Sequence, residues 1–191
     1  MRRALARMIA VEGSSIPALK KFDPPVPGTP AAQAARAGDV AALKAVSPPE
    51  ALNAKDDSGN PPLVWAADAG HKEAVEFLIG AGVDVNAAGF IENTAVSRAC
   101  RGGHAEVLRA LLSAPGMASM NVPNGKMQYP LHFAAFKKKL DCVKVMLEFG
   151  ADTTVLDRKG RTPAEDTSCE VIRQTILDGR AALGQVLKSE Y

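Results

Sequence analysis

The chain has 191 residues, of which 47% are hydrophobic and 5% aromatic, and its formal net charge is +2. This length suits one domain, and the apolar fraction excludes a wholly disordered chain. No stretch approaches the roughly 18 apolar residues of a membrane span, and the near-zero net charge disfavours a general nucleic-acid binder. Three cysteines without the spacing of a disulfide scaffold indicate a reducing compartment, so we expect a cytoplasmic protein.

Residues 1–28 form an N-terminal extension ahead of the first repeated segment. Its acid-free start combines three arginines with apolar residues at helical spacing: Arg2, Arg3, Arg7, Leu5, Met8 and Ile9. Three interpretations fit this pattern, namely an organelle-targeting segment, a short amphipathic helix that docks on a partner, and a frayed terminus. From Pro17 to Pro30, five prolines in fourteen residues predict an extended linker.

Five segments of the chain recur in the same phase. They begin at Thr29, Pro61, Thr94, Tyr129 and Thr162, so the spacings are 32, 33, 35 and 33 residues. After the second, third and fourth segments an apolar series recurs at i, i+3 and i+4, which predicts a second helix. Gly70 and Gly103 fall between the two helical series, where glycine ends a helix in the left-handed region at little cost. Each unit is therefore a helix, a tight turn and a second helix.

These units resemble the ankyrin repeat. Pro130–Ala135 reads PLHFAA, close to the family's T-P-L-H-x-A signature, and the Gly-His turn is present at residues 70–71 and 103–104. The resemblance implies an all-α solenoid of about five helix-turn-helix modules, three full and two capping, with β-hairpin-like connections. It covers residues 29–178, and residues 179–191 are expected to form a closing helix or a tail.

The chain departs from the family pattern at two kinds of position. In three modules another residue replaces the signature histidine, which survives as His132; the replacements are Val64, Ser97 and Glu165. In the family this histidine helps to tie neighbouring hairpins together by hydrogen bonds, so its loss predicts weaker register between modules. In the fourth module Lys138-Lys139 replaces Gly-His, so this turn has to form without glycine.

The sequence lacks the local signatures of several common catalytic classes. A glycine-rich phosphate loop, the Gly-x-Ser-x-Gly turn of serine hydrolases and the His-Glu-x-x-His of zinc proteases are all missing. His71 and His104 occupy the same turn of successive modules and are interpreted as hydrogen-bonded turn residues. Cys100 and Cys142 fit as small buried fillers. We therefore expect no catalytic step, no cofactor, no metal and no small-molecule substrate.

The resemblance implies that the first helices and the hairpin tips line a concave face that binds a partner. The side chains expected there are Asp57, Ser58, Asn60, Trp65, Asp68, Phe90, Ile91, Asn93, Arg98, Arg101, Lys126, Gln128, Phe133, Phe136, Lys137, Arg158, Lys159 and Arg161. The segment from Leu78 also resembles ankyrin segments whose asparagine is hydroxylated. Asn86 and Asn121 are therefore candidates for that modification.

Aromatic residues are the candidate anchors of this face, because aromatic side chains are frequent hot spots of protein interfaces. Phe90 and Ile91 occupy a tip where polar residues are usual, so the pair either folds back onto Trp65 or contacts a partner. Trp65, Phe133 and Phe136 are either anchors or packing between adjacent first helices.

Charge is polarised along the repeats. Residues 50–97 carry eight acids against two bases, a balance of −6, whereas residues 98–161 carry eleven bases against five acids, a balance of +6. Such a field orients a charged partner and speeds its encounter. A partner with an acidic segment would complement Lys137, Arg158 and Arg161; the alternative is a solvated surface whose charge varies by chance.

The sequence thus predicts a non-catalytic protein–protein interaction module, such as an adaptor, an assembly subunit or an inhibitor, that holds a protein partner in its groove. One alternative is an organelle-targeted chaperone or assembly factor that uses the N-terminal basic segment. Another is an RNA- or DNA-associated scaffold that uses the basic half of the repeats. The adjoining acidic half disfavours nucleic acid, because it repels the phosphate backbone.

Overall fold

The computed structural model describes residues 28–116 and 118–186 of the chain. In these ranges it contains ten α-helices, arranged as five consecutive pairs, and no β-strand. The pairs are α1 (Pro30–Ala37) and α2 (Val40–Lys44), α3 (Pro62–Ala69) and α4 (Lys72–Gly80), α5 (Ala95–Gly102) and α6 (Ala105–Leu112), α7 (Pro130–Phe136) and α8 (Leu140–Glu148), α9 (Pro163–Asp166) and α10 (Glu170–Ala182). The predicted all-α stack of five helix-turn-helix modules is confirmed.

The first helix of each module begins where local chemistry satisfies its free N–H groups. The Thr29 side chain accepts a hydrogen bond from the N–H of Ala32 (3.2 Å), and the Thr94 side chain accepts one from the N–H of Ser97 (3.3 Å). Proline opens α1, α3, α7 and α9, where its missing N–H would have no intrahelical partner. The start of each module is therefore encoded locally.

The turn inside a module needs a residue in the left-handed region. Glycine supplies it in the first three modules, where Gly38, Gly70 and Gly103 have φ of 72°, 84° and 88°. In the fourth module Lys138 takes this conformation with φ 57°, so the predicted glycine-free turn does form. A residue with a Cβ atom in this region costs about 1–2 kcal/mol.

Lys138→Gly is expected to stabilise the protein by about 0.5 kcal/mol, because relief of the left-handed strain outweighs the extra freedom that glycine has in the unfolded chain. The matched control is Lys144→Gly, since Lys144 is exposed in the interior of α8. There the same change should cost about 1 kcal/mol. Urea unfolding measures both free energies, and a loss of stability in Lys138→Gly would contradict a strained turn.

The modules stack side by side in two layers. The first helices α1, α3, α5, α7 and α9 contact one another in succession, and the second helices do the same. Leu78, Leu108 and Met146, from the second helices of the three central modules, are fully buried. Cys100 and Cys142 are fully buried as well, which confirms them as small fillers. A continuous apolar core therefore runs along the stack, and neighbouring modules cover each other.

Histidines in the turns tie modules two and three to the module before each of them. Nε2 of His71 lies 3.0 Å from the carbonyl oxygen of Arg36, and Nε2 of His104 lies 3.1 Å from that of Asp68. Both carbonyls lie at the C-terminal end of a first helix, where the helix itself provides no donor. The interpretation of His71 and His104 as hydrogen-bonded turn residues is confirmed.

A further set of hydrogen bonds links the loops that connect successive modules. A side-chain amide oxygen in one module accepts the N–H of a residue about one repeat later: Asn53 from Asp84 (3.0 Å), Asn86 from Ser119 (2.7 Å) and Asn121 from Asp152 (3.1 Å). Asn86 and Asn121 are exposed. The two candidates for hydroxylation thus lie at the surface with their amide oxygens engaged in the stack.

The C-terminal end differs from the expected division of the chain. Helix α10 continues to Ala182, so the boundary predicted after residue 178 falls inside it and no separate helix begins at Gly179. The Gln185 side chain accepts hydrogen bonds from the N–H and hydroxyl of Thr153 (2.8 and 2.7 Å), which closes the last module. The chain leaves the helix before Gln185 because Gly184 has φ 63°. Residues 187–191 lie outside the described residues, and so do residues 1–27 of the predicted N-terminal extension.

Candidate protein-interaction groove

Four hairpin-like tips connect the modules. Each tip is closed by a hydrogen bond from the N–H of its first residue to the carbonyl oxygen of its fifth: Asp56 to Asn60 (3.0 Å), Gly89 to Asn93 (2.9 Å), Asn124 to Gln128 (2.9 Å) and Asp157 to Arg161 (2.9 Å). These bonds resemble the closing pair of a β-hairpin, although no strand forms in the described ranges. Together with the first helices, the tips line the two pockets described below.

Trp65 forms the buried base of the groove. Its side chain is only 7% exposed, and its Nε1 donates a hydrogen bond to a carboxylate oxygen of Asp56 (2.7 Å). The guanidinium of Arg36 lies 5.2 Å from the ring centroid, within cation–π range. Trp65 therefore packs within the stack, and its role as an anchor for a partner stays a prediction.

The central pocket is a cavity of about 340 Å³ lined by Asp57, Ser58, Asn60, Trp65, Asp68, Phe90, Arg98 and Arg101. All eight residues belong to the set predicted from the sequence. Phe90 is 57% exposed, and its N–H donates to the side-chain oxygen of Asn60 (2.8 Å). Ile91 is half-buried with φ 55°. The tip therefore shares a pocket with Trp65 and still presents Phe90 to solvent.

Charge in the central pocket is internally balanced. The carboxylate of Asp68 lies 3.3 Å from the guanidinium of Arg101 and 3.6 Å from that of Arg98. Burial lowers the pKa of Arg98, against the attraction of Asp68, and the Nε of Arg98 has no hydrogen-bond partner among the described residues. The two arginines are therefore less available to an acidic partner than the sequence suggested.

The C-terminal pocket is a cavity of about 450 Å³ lined by Lys126, Gln128, Phe136, Asp157, Arg158, Lys159, Arg161 and Asp166. Phe136 is 58% exposed, and the Nζ of Lys137 lies 5.5 Å from its ring centroid. Phe133, by contrast, is half-buried against the core. Of the two phenylalanines of α7, Phe136 is thus the more exposed one.

Arg161 is held by two carboxylates. Its guanidinium lies 2.7 Å from Asp157 and 2.6 Å from Asp166. Burial raises the pKa of Asp157, but hydrogen bonds from the backbone and side chain of Arg161 and from the backbone of Lys159 outweigh it and lower that pKa to about 2. The sequence-based set included Arg161 but missed both carboxylates. The spacing of four residues between Asp157 and Arg161 was a usable signal, whereas Asp166 meets Arg161 only in the fold.

His132 lies buried below the last tip. Its Nε2 is 2.8 Å from the carbonyl oxygen of Arg161, so the neutral ring donates its proton there. Nδ1 has no hydrogen-bond partner in the described part of the chain. Burial lowers the pKa of His132, although the hydrogen bond to Arg161 opposes this shift. His132 therefore ties module four to the tip of module five in its neutral form.

The stability of the protein is expected to fall as the pH drops below about 6.5, the pKa of histidine in an unfolded chain. In that range the unfolded state binds a proton that the folded state excludes, until the pH reaches the lowered folded pKa. His132→Gln should remove this contribution, which amounts to at most about 1.4 kcal/mol per pH unit. Urea unfolding of both proteins between pH 8 and pH 5 measures the difference. Equal slopes would contradict a neutral buried His132.

The described ranges contain neither a metal-binding cluster nor a membrane-spanning helix. No group of three or more histidine, cysteine, aspartate or glutamate side chains is arranged there to hold a metal ion. The helices of these ranges also include none with the length and apolar character needed to cross a bilayer.

Three relatives share the repeats. The probable E3 ubiquitin-protein ligase XBOS33 of Oryza sativa subsp. japonica is 33% identical over 151 residues, which are 71% of this chain and 28% of the ligase. The tyrosine-protein kinase HTK16 of Hydra vulgaris is 32% identical over 116 residues, or 61% of this chain and 15% of the kinase. Protein PhlB of Serratia liquefaciens is 35% identical over 133 residues, or 69% of this chain and 58% of PhlB. The chain thus spans less than two thirds of each relative.

A family model for ankyrin repeats matches the chain in three overlapping copies, at residues 7–89, 31–124 and 96–170. These matches cover most of the chain and every helix from α1 to α9, but only the first residue of α10. The chain therefore belongs to the ankyrin-repeat family.

Proposed function

We propose that this chain is a non-catalytic protein-interaction module that holds a protein partner against its hairpin tips and first helices. The observation that carries the proposal is the pair of exposed aromatic side chains, Phe90 and Phe136, each of which lines a pocket on this surface. Exposed aromatic residues beside charged ones are typical of interface hot spots. Membership of the ankyrin-repeat family supports the same class of function.

The binding mechanism is preorganisation. The tips are closed by backbone hydrogen bonds, and the first helices are locked together by the turn histidines. A partner therefore meets side chains that are already in place, which lowers the entropic cost of association. An adaptor, an assembly subunit or an inhibitor would each use the surface in this way.

Catalysis is not part of the proposal. Two of the relatives are named as a ligase and a kinase, but the chain covers 28% and 15% of their lengths. The matched region is the repeat region, so neither activity is transferred to this chain. We also place the protein in the cytoplasm, which suits its free cysteines at positions 100, 142 and 169. A fluorescent fusion that collects in an organelle would overturn this location and favour the targeting interpretation of residues 1–16.

A charged partner would be oriented by the polarity of the stack. The basic half ends at the C-terminal pocket, and the acidic half includes Asp57 and Asp68 of the central pocket. An acidic segment of the partner would accordingly lie toward module five. Asn86 and Asn121 remain proposed hydroxylation sites, and mass spectrometry of the native protein without added oxygen at either would remove them.

The test is a comparison of partners recovered from the native cell. A groove variant carries Phe90→Ser, Phe136→Ala and Lys137→Glu. A matched variant carries Val171→Ser, Leu177→Ala and Lys144→Glu, at exposed positions of α10 and α8. We expect the groove variant to lose the partners that the wild type and the matched variant retain. A folded groove variant that retains every partner would overturn the proposal.

A further inference from the structure

We propose that the C-terminal pocket binds an acidic segment of the partner, with one apolar side chain packed on Phe136 and carboxylates paired with Lys126, Arg158 and Lys159. This inference rests on the proposed function, since it names the chemistry that one end of the groove recognises. Phe136 makes the apolar contact in this proposal, and the three cations make the charge pairs.

The positive charge of this pocket is available to a ligand. Four exposed cations in or beside it have no acidic side chain within 4 Å among the described residues: Lys126, Lys137, Arg158 and Lys159. Arg161 is different, because it pairs with both Asp157 and Asp166, at 2.7 and 2.6 Å. These three groups together carry one negative charge, which the four exposed cations outweigh, so the field at the surface is positive.

The apolar part of the pocket is Phe136. More than half of its side chain is exposed at the end of α7, between the tips of modules four and five. Lys137 lies against this ring at cation–π distance. An apolar side chain on Phe136 would remove both from water, while carboxylates on the rim stay hydrated. This arrangement of an apolar centre and a charged rim is the usual anatomy of an interface.

The distance between the cations determines how far apart the acidic residues of the bound segment lie. Lys126 belongs to the tip of module four, and Arg158 and Lys159 belong to the tip of module five. Neighbouring modules lie about 10 Å apart, as packed helices do. An extended chain covers this distance in about three residues. The pocket therefore fits two acidic residues about three positions apart with an apolar residue between them.

An acidic peptide fits this surface better than a nucleic acid does. A phosphate backbone that continued along the groove would reach Asp57 and Glu92, in the half of the repeats that carries a balance of −6. A short acidic segment can end within the basic half, whereas a polyanion carries its charge into the acidic half.

The experiment uses the full chain and fluorescent heptapeptides, with fluorescence anisotropy as the readout. The test peptide is EDELEDE, and its controls are EDESEDE, which lacks the apolar residue, and QNQLQNQ, which lacks the charge. A heptathymidylate single strand tests for nucleic acid. The protein variants are Phe136→Ala and the pair Lys126→Glu with Lys159→Glu. The matched charge control is Lys44→Glu with Lys144→Glu, at exposed positions of α2 and α8.

We expect EDELEDE to bind and both of its controls to bind at least about tenfold more weakly. The Lys126/Lys159 variant should weaken EDELEDE about tenfold, while the Lys44/Lys144 variant leaves it unchanged. Phe136→Ala should weaken EDELEDE and leave EDESEDE unaffected, which a purely electrostatic site would not produce. Absence of binding at about 1 mM peptide, an equal effect of the two charge variants, or tighter binding of heptathymidylate would each overturn the inference.

Failure of this inference is distinguishable from failure of the proposed function. If EDELEDE does not bind but the groove variant still loses its cellular partners, only the acidic-segment inference fails. If the groove variant retains every partner, the proposed function fails, and the acidic-segment inference fails with it.

Discussion

Leu108→Ala is expected to destabilise the protein by about 3 to 4 kcal/mol, within the range measured for fully buried leucines. Leu108 lies in α6 of the central module and is fully buried. The second helices on either side, α4 and α8, both contact α6. A cavity at this position therefore weakens two module interfaces at once, and a stack derives its stability from such interfaces.

The matched control for Leu108→Ala is Leu177→Ala, because Leu177 is exposed on α10. Removing the same atoms there should change the free energy of unfolding by no more than about 0.5 kcal/mol. Urea unfolding followed by circular dichroism gives both values. Similar losses of unfolding free energy in the two variants would mean that packing between α4, α6 and α8 does not stabilise the protein as described.

Gly70→Ala is expected to cost about 2 to 3 kcal/mol, the sum of left-handed backbone strain and a weakened inter-module hydrogen bond. Gly70 has φ 84°, and a Cβ atom there would lie 2.5 Å from Nδ1 of His104. The His104 ring would have to move, and its bond to the carbonyl of Asp68 would weaken. Glycine is needed at position 70 because the backbone is left-handed there and because the next module packs too closely to leave room for a Cβ atom.

Gly59→Ala separates these two causes. Gly59 has φ 76°, but a Cβ atom there would meet nothing within 4 Å. Only the backbone strain applies, so the expected cost is about 1 kcal/mol. In a His104→Ala background the cost of Gly70→Ala should fall to about the same value, because the clash is gone. If the costs of Gly70→Ala and His104→Ala simply add in the double variant, then His104 does not pack on Gly70.

The repeated architecture was predictable because it depends on local signals. Helix starts at threonine or proline recur once per module, and the first helices of the first three modules end at Gly38, Gly70 and Gly103. The C-terminal boundary was not predictable in the same way. The apolar spacing around Leu183 suggested a separate helix, whereas α10 passes through Gly179 without a break. Glycine lowers helix propensity by only about 1 kcal/mol, which packing against module four can offset.

The sequence identified the residues that line the central pocket, but it did not identify their interactions. The eight residues of the central pocket were all predicted, since the repeat phase decides which side chains face the groove. Their interactions depend on neighbours 30 or more positions away, as in the pairs Asp68–Arg101 and Asn60–Phe90. Single-sequence periodicity carries no information about such pairs. Trp65 and Arg161 also have partners within the fold, but these partners, Asp56 and Asp166, are nearer in the chain.

The central claim is that a partner occupies the side of the stack formed by the tips and first helices. Hydrogen–deuterium exchange of the full chain, alone and bound to a partner recovered from its native cell, tests this claim most directly. We expect slower exchange on binding at the tips of residues 89–93, 124–128 and 157–161, with no change in α4, α6 and α8. Slower exchange confined to those second helices would contradict the claim.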